Sequence, residues 1–455
     1  MRRSFDAIVI GAGQAGPSLA ARLAASGRTV AIVERHLVGG TCVNTGCMPT
    51  KTLVASAHAA HIARRGADFG VHTGPIFIDM ARVHARTQAI ATNARTRNEK
   101  WLQGLKGCTL LYGHARFEDA KTVRVGDEVL EAGEVFINVG GRALIPDMPG
   151  ARDVPLLTNS SMLEMASIPE HLVVVGGSYI GLEFGQAFAR LGARVTIVEK
   201  GERLVSREDE KVSQAIRAML EAEGLTIRTK AECIRFHRDS DGIAVGLDCT
   251  EDADSVLASH VLMAVGRVPN TDDLGLDKAG VGMDARGYIT VNDRLETSVP
   301  GIWALGDCNG RGAFTHTSYN DFEIVAENLL DGADRKVSDR IPCYALFTDP
   351  PLGRVGMSVG QAHAAGRKVR VGHRPMTRVG RAVEKDETTG FMEIVVDAES
   401  DLILGGTILG TGGDEAIHTI LDMMANGATA DRLRRTVHIH PTVAELIPTI
   451  AGELV

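Results

Sequence analysis

One pattern of apolar and polar positions organises this chain and occurs in it twice. The first copy, "DAIVIGAGQAGPSLAARLAASGRTVAIVER", begins at Asp6. A short apolar run is followed by clustered glycines, then by a stretch rich in alanine and leucine, and then by a second apolar run. This order predicts a strand, a tight turn, a helix and a second strand, which is the repeating unit of a parallel sheet covered by helices.

The glycines of this first copy have the spacing of a dinucleotide-binding turn. Gly11, Gly13 and Gly16 follow the strand as G-x-G-x-x-G. The first permits the turn, the second lets backbone approach a pyrophosphate, and the third lets the helix pack on the strand. Glu34 ends the second strand, where a carboxylate would bind a ribose diol. An ordinary turn is the alternative, but the placement of strand, helix and acid favours a nucleotide site.

The second copy is "HLVVVGGSYIGLEFGQAFARLGARVTIVEK", which begins at His171. Gly176 and Gly181 hold the outer glycine positions, and Glu199 ends the second strand. Ser178 replaces the middle glycine and weakens this copy taken alone. Two dinucleotide folds in one chain suggest two dinucleotides that meet across an interface, as in a flavin enzyme reduced by a nicotinamide nucleotide.

The segments after the second copy return to the first fold. A predicted strand in "GYITVNDRLETSVPGIWALGDCNG" ends at Asp307, which could reach the ribityl chain of a flavin, although a plain turn would also place an Asp there. The predicted class is α/β, with two Rossmann-like dinucleotide-binding domains, the second inserted in the first, and a C-terminal α+β domain. The predicted limits are 1–148 with 268–335 for the flavin domain, 149–267 for the nicotinamide domain and 340–455 for the C-terminal domain.

Composition narrows the function. The chain has 455 residues, 44% hydrophobic and 23% charged, which describes a globular protein of two or three domains. A net charge of -8 argues against a nucleic-acid or anionic-membrane partner, and no run of about 20 apolar residues predicts a membrane span. "MRRSF" resembles the start of a twin-arginine signal, but it leads directly into the first strand, so we expect a soluble cytoplasmic protein.

Two of the seven cysteines lie close together in "GGTCVNTGCMPTK". On a regular helix Cys42 and Cys47 would be about 7.5 Å apart along the axis, so they can form a disulfide only in a loop or a distorted first turn, which Gly46 permits. A helix starting near Cys47 would lower the pKa of its thiol. Zinc bound with His58 and His61 is an alternative, but the spacing departs from that of zinc fingers. A passive disulfide does not suit a reducing compartment, so a redox-active pair is favoured.

These segments resemble the class I pyridine nucleotide–disulfide oxidoreductases, the family of glutathione reductase, dihydrolipoamide dehydrogenase and mercuric reductase. The resemblance covers essentially the whole chain. It rests on the redox segment quoted above and on four further segments, "SYIGLEF", "AVGRVPN", "WALGDCNG" and "HIHPTVAE". It implies an enzyme with FAD and with NADH or NADPH as cofactors.

The resemblance implies roles for the residues around the flavin. Cys42 matches the interchange thiol that attacks substrate, and Cys47 matches the thiol that exchanges electrons with the flavin and forms a charge-transfer complex with it. Lys51 matches the lysine beside flavin N5 and is paired with Glu183, since a nearby cation favours the anionic reduced flavin. Asp307 matches the ribityl contact. The first fingerprint completes the predicted FAD site with Gly11, Gly13, Gly16 and Glu34.

The implied nicotinamide site is centred on Tyr179, which matches an aromatic lid and would otherwise be a core residue. Glu199 favours the bare ribose of NADH because it would repel the 2′-phosphate of NADPH. Lys200 and Arg203 lie next to it and could instead receive that phosphate, so NADPH is the alternative. The other predicted members of the site are Gly176, Ile180, Gly181 and Gly266.

The C-terminal segment matches a catalytic dyad supplied by a second subunit. His440 would exchange protons with the thiols, and Glu445 would hold its ring in the required tautomer. We expect His438 to face the other way. The resemblance therefore implies a homodimer built by residues 340–455, with active sites shared between the subunits.

The predicted reaction passes electrons from the nicotinamide nucleotide through FAD and the Cys42–Cys47 disulfide to a small disulfide, or runs in reverse from a dithiol. No resident metal is expected. A metal-ion reductase of the mercuric or copper type is the alternative, disfavoured by the ending "AGELV", which lacks a cysteine pair. A flavoprotein that senses oxidants is a further alternative. Four arginines could bind a carboxylate-bearing disulfide or be solvated helix residues: Arg64, Arg65, Arg95 and Arg97.

Overall fold

The computed structural model describes residues 1–247 and 255–455. The N-terminal segment forms six strands of the first sheet, the associated helices and, last in chain order, a seventh strand that lies outside this sheet. The strands are β1 Arg2–Ile10, β2 Val30–Glu34, β3 Cys108–Tyr112, β4 Ala115–Asp119, β5 Thr122–Val125, β6 Glu128–Ile137 and β7 Gly141–Ala143. The helices are α1 Ala15–Ala25, α2 Gly40–Asn44, α3 Cys47–Arg64 and α4 Met80–Gly104, with a 3-10 turn at Gly66–Phe69.

Strand β1 is the centre of this first sheet. It lies parallel to β2 on one side and to β6 on the other, with Ile10 opposite both Val33 and Ile137. Alternate side chains of β1 enter different cores, Ile8 on one face and Val9 on the other. A parallel strand buried on both faces requires the continuous apolar run that the sequence has here. Because β1 begins at Arg2, residues 2–5 of "MRRSF" belong to a strand, as predicted.

The second sheet is built from the middle of the chain. Its parallel order is β11, β10, β9, β15, β8, and a separate antiparallel sheet of β12, β13 and β14 lies beside it. The strands are β8 Leu156–Leu157, β9 His171–Val175, β10 Arg194–Val198, β11 Thr226–Arg228, β12 Arg235–Asp239, β13 Gly242–Gly246, β14 Ser255–Ala258 and β15 His260–Met263. The helices are α5 Asn159–Met162, α6 Tyr179–Leu191 and α7 Glu210–Ala222.

The chain then returns to the first fold. Strand β16 pairs with β7, and β17 lies parallel to β6 in the first sheet. The elements are β16 Arg267–Pro269, α8 Leu276–Ala279, β17 Ile302–Ala304 and α9 Thr315–Leu330, with 3-10 turns at Gly306–Asn309 and Val337–Asp339. The second fold is thus inserted in the first.

The C-terminal segment forms a third unit around an antiparallel sheet of five strands, in the order β18, β19, β22, β21, β20. The strands are β18 Cys343–Leu346, β19 Leu352–Gly356, β20 Val369–Pro375, β21 Phe391–Asp397 and β22 Ile403–Leu409. The helices are α10 Val359–Ala364, α11 Gly380–Glu384, α12 Gly413–Ala425, α13 Ala430–Arg434 and α14 Ile447–Gly452, with 3-10 turns at Met376–Arg378 and Ala444–Leu446.

The predicted architecture of two dinucleotide-binding folds and a C-terminal domain is confirmed. The residue limits drawn for the three domains stay a prediction. Among the helices of the described ranges, none combines the length and the apolar character needed to cross a membrane.

Candidate active site

The first glycine fingerprint forms a turn with no room for a side chain at two of its three glycines. Gly11 has φ +104°, and a Cβ there would lie 2.2 Å from the carbonyl oxygen of Asn138. A Cβ on Gly16 would lie 2.1 Å from the Gly11 oxygen. Glu34 accepts a hydrogen bond from the Ala12 amide at 2.9 Å, which fastens the turn to the end of β2. The N-terminus of α1 follows directly and offers unpaired amides to a phosphate.

The second fingerprint repeats this geometry. Gly176 has φ +118°, and a Cβ there would lie 2.3 Å from the carbonyl oxygen of Ala264. A Cβ on Gly181 would lie 2.1 Å from the Gly176 oxygen. Glu199 accepts from the amides of Gly177 and Gly201, each at 2.6 Å. The helix that follows, α6, begins after Ser178.

Both turns open into one cavity of about 1630 Å³. Its size and its two glycine cradles fit two elongated nucleotides, since ordinary small-molecule pockets reach only about 1000 Å³. Gly16 and Gly181 pack behind their turns and do not line it. The predicted site residues that line the cavity are Gly11, Gly13, Glu34, Cys42, Cys47, Lys51, Gly176, Tyr179, Ile180, Glu183, Glu199, Gly266 and Asp307.

The cysteine pair lies where the helix is interrupted. Helix α2 ends at Asn44, Gly46 has φ -137° and ψ -119°, and Cys47 starts α3. The distorted turn that a disulfide would require is therefore present. Both cysteines are free thiols here, and the Sγ of Cys47 lies 3.1 Å from the Oγ1 of Thr315.

The two thiols have opposite electrostatic environments. A hydrogen bond from Cys42, together with Thr315 and the charge of Lys51, lowers the pKa of Cys47 to about 6 against the opposing effect of burial. The same Cys42–Cys47 hydrogen bond, with burial, raises the pKa of Cys42 far above its ordinary value. In the dithiol form the proton is therefore held by Cys42, and Cys47 is the thiolate.

Lys51 and Glu183 join the two folds next to this pair. The Nζ of Lys51, on α3, donates to Glu183 Oε2, on α6, at 2.6 Å. The other carboxylate oxygen of Glu183 accepts from the Phe347 amide at 3.0 Å. The Lys51 ammonium lies 4.5 Å from the centre of the Phe347 ring, a cation–π contact. Glu183 is almost fully buried, so this pairing compensates a charge removed from water.

Two further predicted residues face the same cavity. The ring of Tyr179 packs edge-on against Phe314 at 5.8 Å and against Tyr344 at 5.6 Å between ring centres. Burial raises the pKa of Asp307, partly opposed by Arg267, whose Nε lies 3.7 Å from its carboxylate. Gly266, with φ +140°, lies between the second fold and β16.

The predicted dyad is intact but lies outside this cavity. The Nδ1 of His440 is 2.9 Å from Glu445 Oε2, while 80% of the His440 side chain is exposed. Val437 and Ile439 are 98% and 80% exposed, so an apolar segment with a His–Glu pair faces outwards. Neither residue of the dyad reaches the Cys42–Cys47 pair of its own chain.

The histidine considered as a zinc ligand and the arginines considered for substrate binding contact other parts of the protein. His58 bonds Asp349 at 2.6 Å, and in residues 1–247 and 255–455 no three Cys, His, Asp or Glu side chains are grouped to hold a metal. Arg64 bonds the Arg190 carbonyl and Arg65 bonds Asp386, so both face the protein. Arg95 bonds Asn44 at 3.3 Å, at the rim of the cavity.

The remaining cysteines divide by environment. Cys308 is buried, while Cys108 and Cys343 are half-buried thiols. Cys233 takes part in a disulfide, and Cys249 lies outside the described residues.

Comparison with known proteins agrees with this geometry. The family model "Pyridine nucleotide-disulphide oxidoreductase" matches residues 5–321, and the model for the dimerisation domain of that family matches residues 343–451. The chain belongs to the pyridine nucleotide-disulphide oxidoreductase family. Its members use FAD and a nicotinamide nucleotide, so this chain is an FAD-containing, NAD(P)H-dependent disulfide oxidoreductase that carries a dimerisation domain.

Relatives within the family bear several names. The chain is 34% identical to a dihydrolipoyl dehydrogenase of Haloferax volcanii, over 97% of this chain and 94% of that one. It is 32% identical to a mercuric reductase of Bacillus cereus, over 97% of this chain and 70% of that one. Its structure is similar to the Cu(II) complex of the HOCl-induced flavoprotein disulfide reductase RclA from Escherichia coli, with a TM-score of 0.91, 31% identity and 99% of both chains covered.

The oxidoreductase site also contains residues that sequence reasoning missed. Asn138, at the end of β6, donates to the Gly11 carbonyl at 3.2 Å and supports the first turn. Thr315 contacts Cys47 from the start of α9, and Phe347 reaches Glu183 through its backbone amide. Arg267 lies inside the quoted "AVGRVPN" segment and could have been selected there, whereas the other three carry no local signal.

Proposed function

We propose that this oxidoreductase passes electrons from NADH, through FAD and the Cys42–Cys47 pair, to a small disulfide, or in reverse from a dithiol. One observation carries the proposal. A thiol with a lowered pKa and its protonated neighbour lie beside the Lys51–Glu183 pair, in a cavity shared by both fingerprints.

The chain's own groups would hold the cofactor as follows. The first turn and the N-terminus of α1 would receive the pyrophosphate of FAD, and Glu34 and Asp307 would face its hydroxyl groups. Bound there, FAD supplies hydride acceptance and electron transfer to a disulfide. Lys51 places a positive charge and Glu183 a fixed acceptor at the junction of the folds, and Tyr179 covers the nicotinamide side.

The thiols would perform the exchange with substrate. Cys42 attacks a sulfur of the substrate disulfide, and that S–S bond breaks to release one thiol. Cys47 then attacks the Cys42 sulfur of the mixed disulfide, which re-forms the internal disulfide and releases the second thiol. The raised pKa of Cys42 means that a base must first remove its proton.

That base would come from a second copy of the chain. The exposed His440–Glu445 pair is ready to accept and return a proton but lies away from its own cysteines. We infer a homodimer in which the partner subunit's His440 serves Cys42, with Glu445 fixing its tautomer. The exposed apolar segment beside the dyad and the dimerisation domain support this arrangement.

NADH rather than NADPH is the proposed donor. The carboxylate of Glu199 is fixed by two amide hydrogen bonds at the end of β10, where the adenosine ribose would lie. A 2′-phosphate would meet this negative charge at close range and be repelled.

An anaerobic titration with NADH tests the proposal. The long-wavelength band of a thiolate–flavin contact should appear, should be bleached by a disulfide substrate, and should be absent in Cys47→Ser. Because the pKa of Cys47 is lowered to about 6, the thiolate and the band should persist above that pH and fade as pH falls through it. Flavin that NADH does not reduce, or a band that survives Cys47→Ser, would contradict the proposal, and inert flavin would support an oxidant sensor.

A metal-ion reductase is the second candidate. It is supported by similarity to mercuric reductases and to the Cu(II) complex of RclA, since thiolates bind soft and borderline metal ions. Turnover with NADH and NADPH should be compared across small disulfides, lipoamide, Hg(II) and Cu(II). A kcat/KM for a metal ion that exceeds those of the disulfides would favour this candidate.

A further inference from the structure

A segment of the C-terminal domain crosses onto the two helices that carry the Lys51–Glu183 pair. Residues 347–349, here called the clasp, follow β18 and precede β19. Lys51 and His58 are seven residues apart on α3, which is two helical turns. They therefore present neighbouring positions of one helix face to the clasp.

The clasp holds α6 through its backbone. The amide of Phe347 donates to Glu183 Oε1 at 3.0 Å. The amide of Asp349 donates to Gln186 Oε1 at 2.8 Å, and the Gln186 amide donates back to the Asp349 carbonyl at 2.8 Å. Glu183 and Gln186 are three residues apart, so these bonds follow one face of α6.

The Asp349 side chain connects this face to α3. Its Oδ2 bonds His58 Nδ1, on α3, at 2.6 Å and also accepts from Arg190, on α6. Arg190 is almost fully buried and is held in turn by Glu223 through two bonds of 2.7 Å. One carboxylate thus bridges the two helices, two turns of α3 from Lys51 and two turns of α6 from Glu183.

We propose that Asp349 is a positioning residue that fixes the spacing of α3 and α6 and thereby the Lys51–Glu183 pair beside Cys47. The proposal rests on the function proposed above for that pair. A half-buried carboxylate that has lost one of its two partners is costly, so Asp349 favours the arrangement in which both helices contact it.

The bond between Asp349 and α3 depends on the protonation of His58. His58 faces Asp349, Arg190 and Glu387, and its hydrogen bond to Asp349 raises its pKa. Burial opposes the ionisation of Asp349, but His58 and Arg190 outweigh it and hold the pKa of Asp349 well below its usual range. As pH rises through the raised pKa of His58, the bond to α3 weakens while the bond from Arg190 to α6 remains.

Alkylation of Cys47 provides a readout that requires no turnover. The charge of Lys51 contributes to the lowered pKa of Cys47, so a displaced Lys51 should raise that pKa. The reduced holoenzyme would be treated with iodoacetamide across pH 5 to 9, and modified Cys47 counted by peptide mass spectrometry. This measurement remains interpretable if NADH fails to reduce the flavin, which would contradict the proposed function alone.

Asp349→Asn removes the charge and leaves the backbone bonds to Gln186. We expect alkylation of Cys47 at pH 6 to fall about three- to ten-fold, because one unit of pKa is a tenfold change. Flavin reduction by saturating NADH should slow about tenfold with the Kd of NADH changed less than twofold. Asp349→Glu, which restores the charge, should recover part of both effects. The control is Glu134→Gln, which alters a similarly half-buried carboxylate paired with Arg28 at 3.2 Å.

A second variant tests whether the protonation of His58 controls the bond to Asp349. His58→Gln keeps an uncharged donor at every pH, so the dependence of flavin reduction on pH between 6 and 9 should flatten. If Asp349→Asn lowers the melting temperature but leaves the Cys47 alkylation profile of the wild type, Asp349 is only structural and the proposal is wrong. If Asp349→Asn does not fold, an alkylation profile of His58→Ala, which removes the bond to Asp349, identical to the wild type overturns the proposal equally.

Discussion

In each of the two nucleotide folds of this chain, a glycine packs against a backbone carbonyl oxygen that leaves no room for a side chain. At the first turn, Gly11 lies against the carbonyl of Asn138, and at the second, Gly176 lies against the carbonyl of Ala264. Both have a positive φ, and a Cβ on either would meet that oxygen at 2.2 or 2.3 Å. The packing of each fold therefore requires these outer glycines before any ligand is present.

The two folds differ at the middle position of the fingerprint, which is Gly13 in the first and Ser178 in the second. A Cβ on Gly13 would meet no protein atom closer than 3.5 Å, which is ordinary contact. The second fold has Ser178 at this place and forms its turn all the same. The fold itself therefore does not require a glycine at the middle position, and only the approach of a ligand favours one there. This explains why the second fingerprint can have a serine at this position.

The largest effects should come from the outer glycines. Gly11→Ala should yield protein without flavin, while Gly176→Ala should keep its flavin and lose at least about 100-fold in affinity for NADH. Positive φ together with a collision costs about 3 kcal/mol or more. Flavin absorbance after gel filtration and NADH titration measure the two outcomes.

Two controls separate collision from backbone strain in this experiment. Gly27 and Gly192 also have positive φ but no atom within 4 Å of a Cβ. Gly27→Ala and Gly192→Ala should retain flavin and NADH reduction. Loss of flavin from Gly176→Ala would show that the folds do not act independently.

The next largest effect should come from the Lys51–Glu183 hydrogen bond, which joins the two folds. Glu183→Gln can still accept from the Phe347 amide but loses its charge towards Lys51. We expect the rate of flavin reduction to fall about tenfold with flavin content unchanged, since the ion pair is lost and the amide NH2, which is a donor, faces the Lys51 ammonium. Stopped-flow absorbance measures the rate. Glu128→Gln, which alters the Arg3–Glu128 pair of the first fold, is the control and should match the wild type.

Sequence reasoning reached the residues at the cavity that belong to one local motif. The glycines, Glu34 and Glu199 belong to strand–turn–helix units, and the cysteine pair to two helices separated by one turn, and the spacing of both shows in the chain. It missed groups that enter the site from distant elements. Thr315 meets Cys47 across 268 residues of sequence, and Phe347 acts through an amide that every residue but proline has. No pattern of side chains could have revealed the second.

Smaller effects should come from replacing Glu199 and Glu34, the carboxylates predicted to bind the riboses of the two nucleotides. Glu199→Ala removes the charge that would repel a 2′-phosphate, so the ratio of NADPH to NADH kcat/KM should rise about three- to tenfold, although both values fall because two amides lose their acceptor. Glu34→Ala, at the corresponding place in the first fold, should loosen FAD and leave the ratio unchanged. A ratio that does not move in Glu199→Ala would contradict the preference for NADH.

The smallest effects should come from exchanging the middle residues. Ser178→Gly should improve the Kd of NADH by less than about threefold, because Ser178 has an extended backbone that suits any residue and an exposed side chain. Gly13→Ser should leave the melting temperature of the flavin-free protein within about 1 °C of the wild type, since its Cβ has room among the protein atoms, while flavin dissociates faster. Thermal unfolding of the flavin-free protein and the rate of flavin release measure the two parts. A flavin-free Gly13→Ser protein that is clearly destabilised would mean that the first fold, unlike the second, needs this glycine for its own packing.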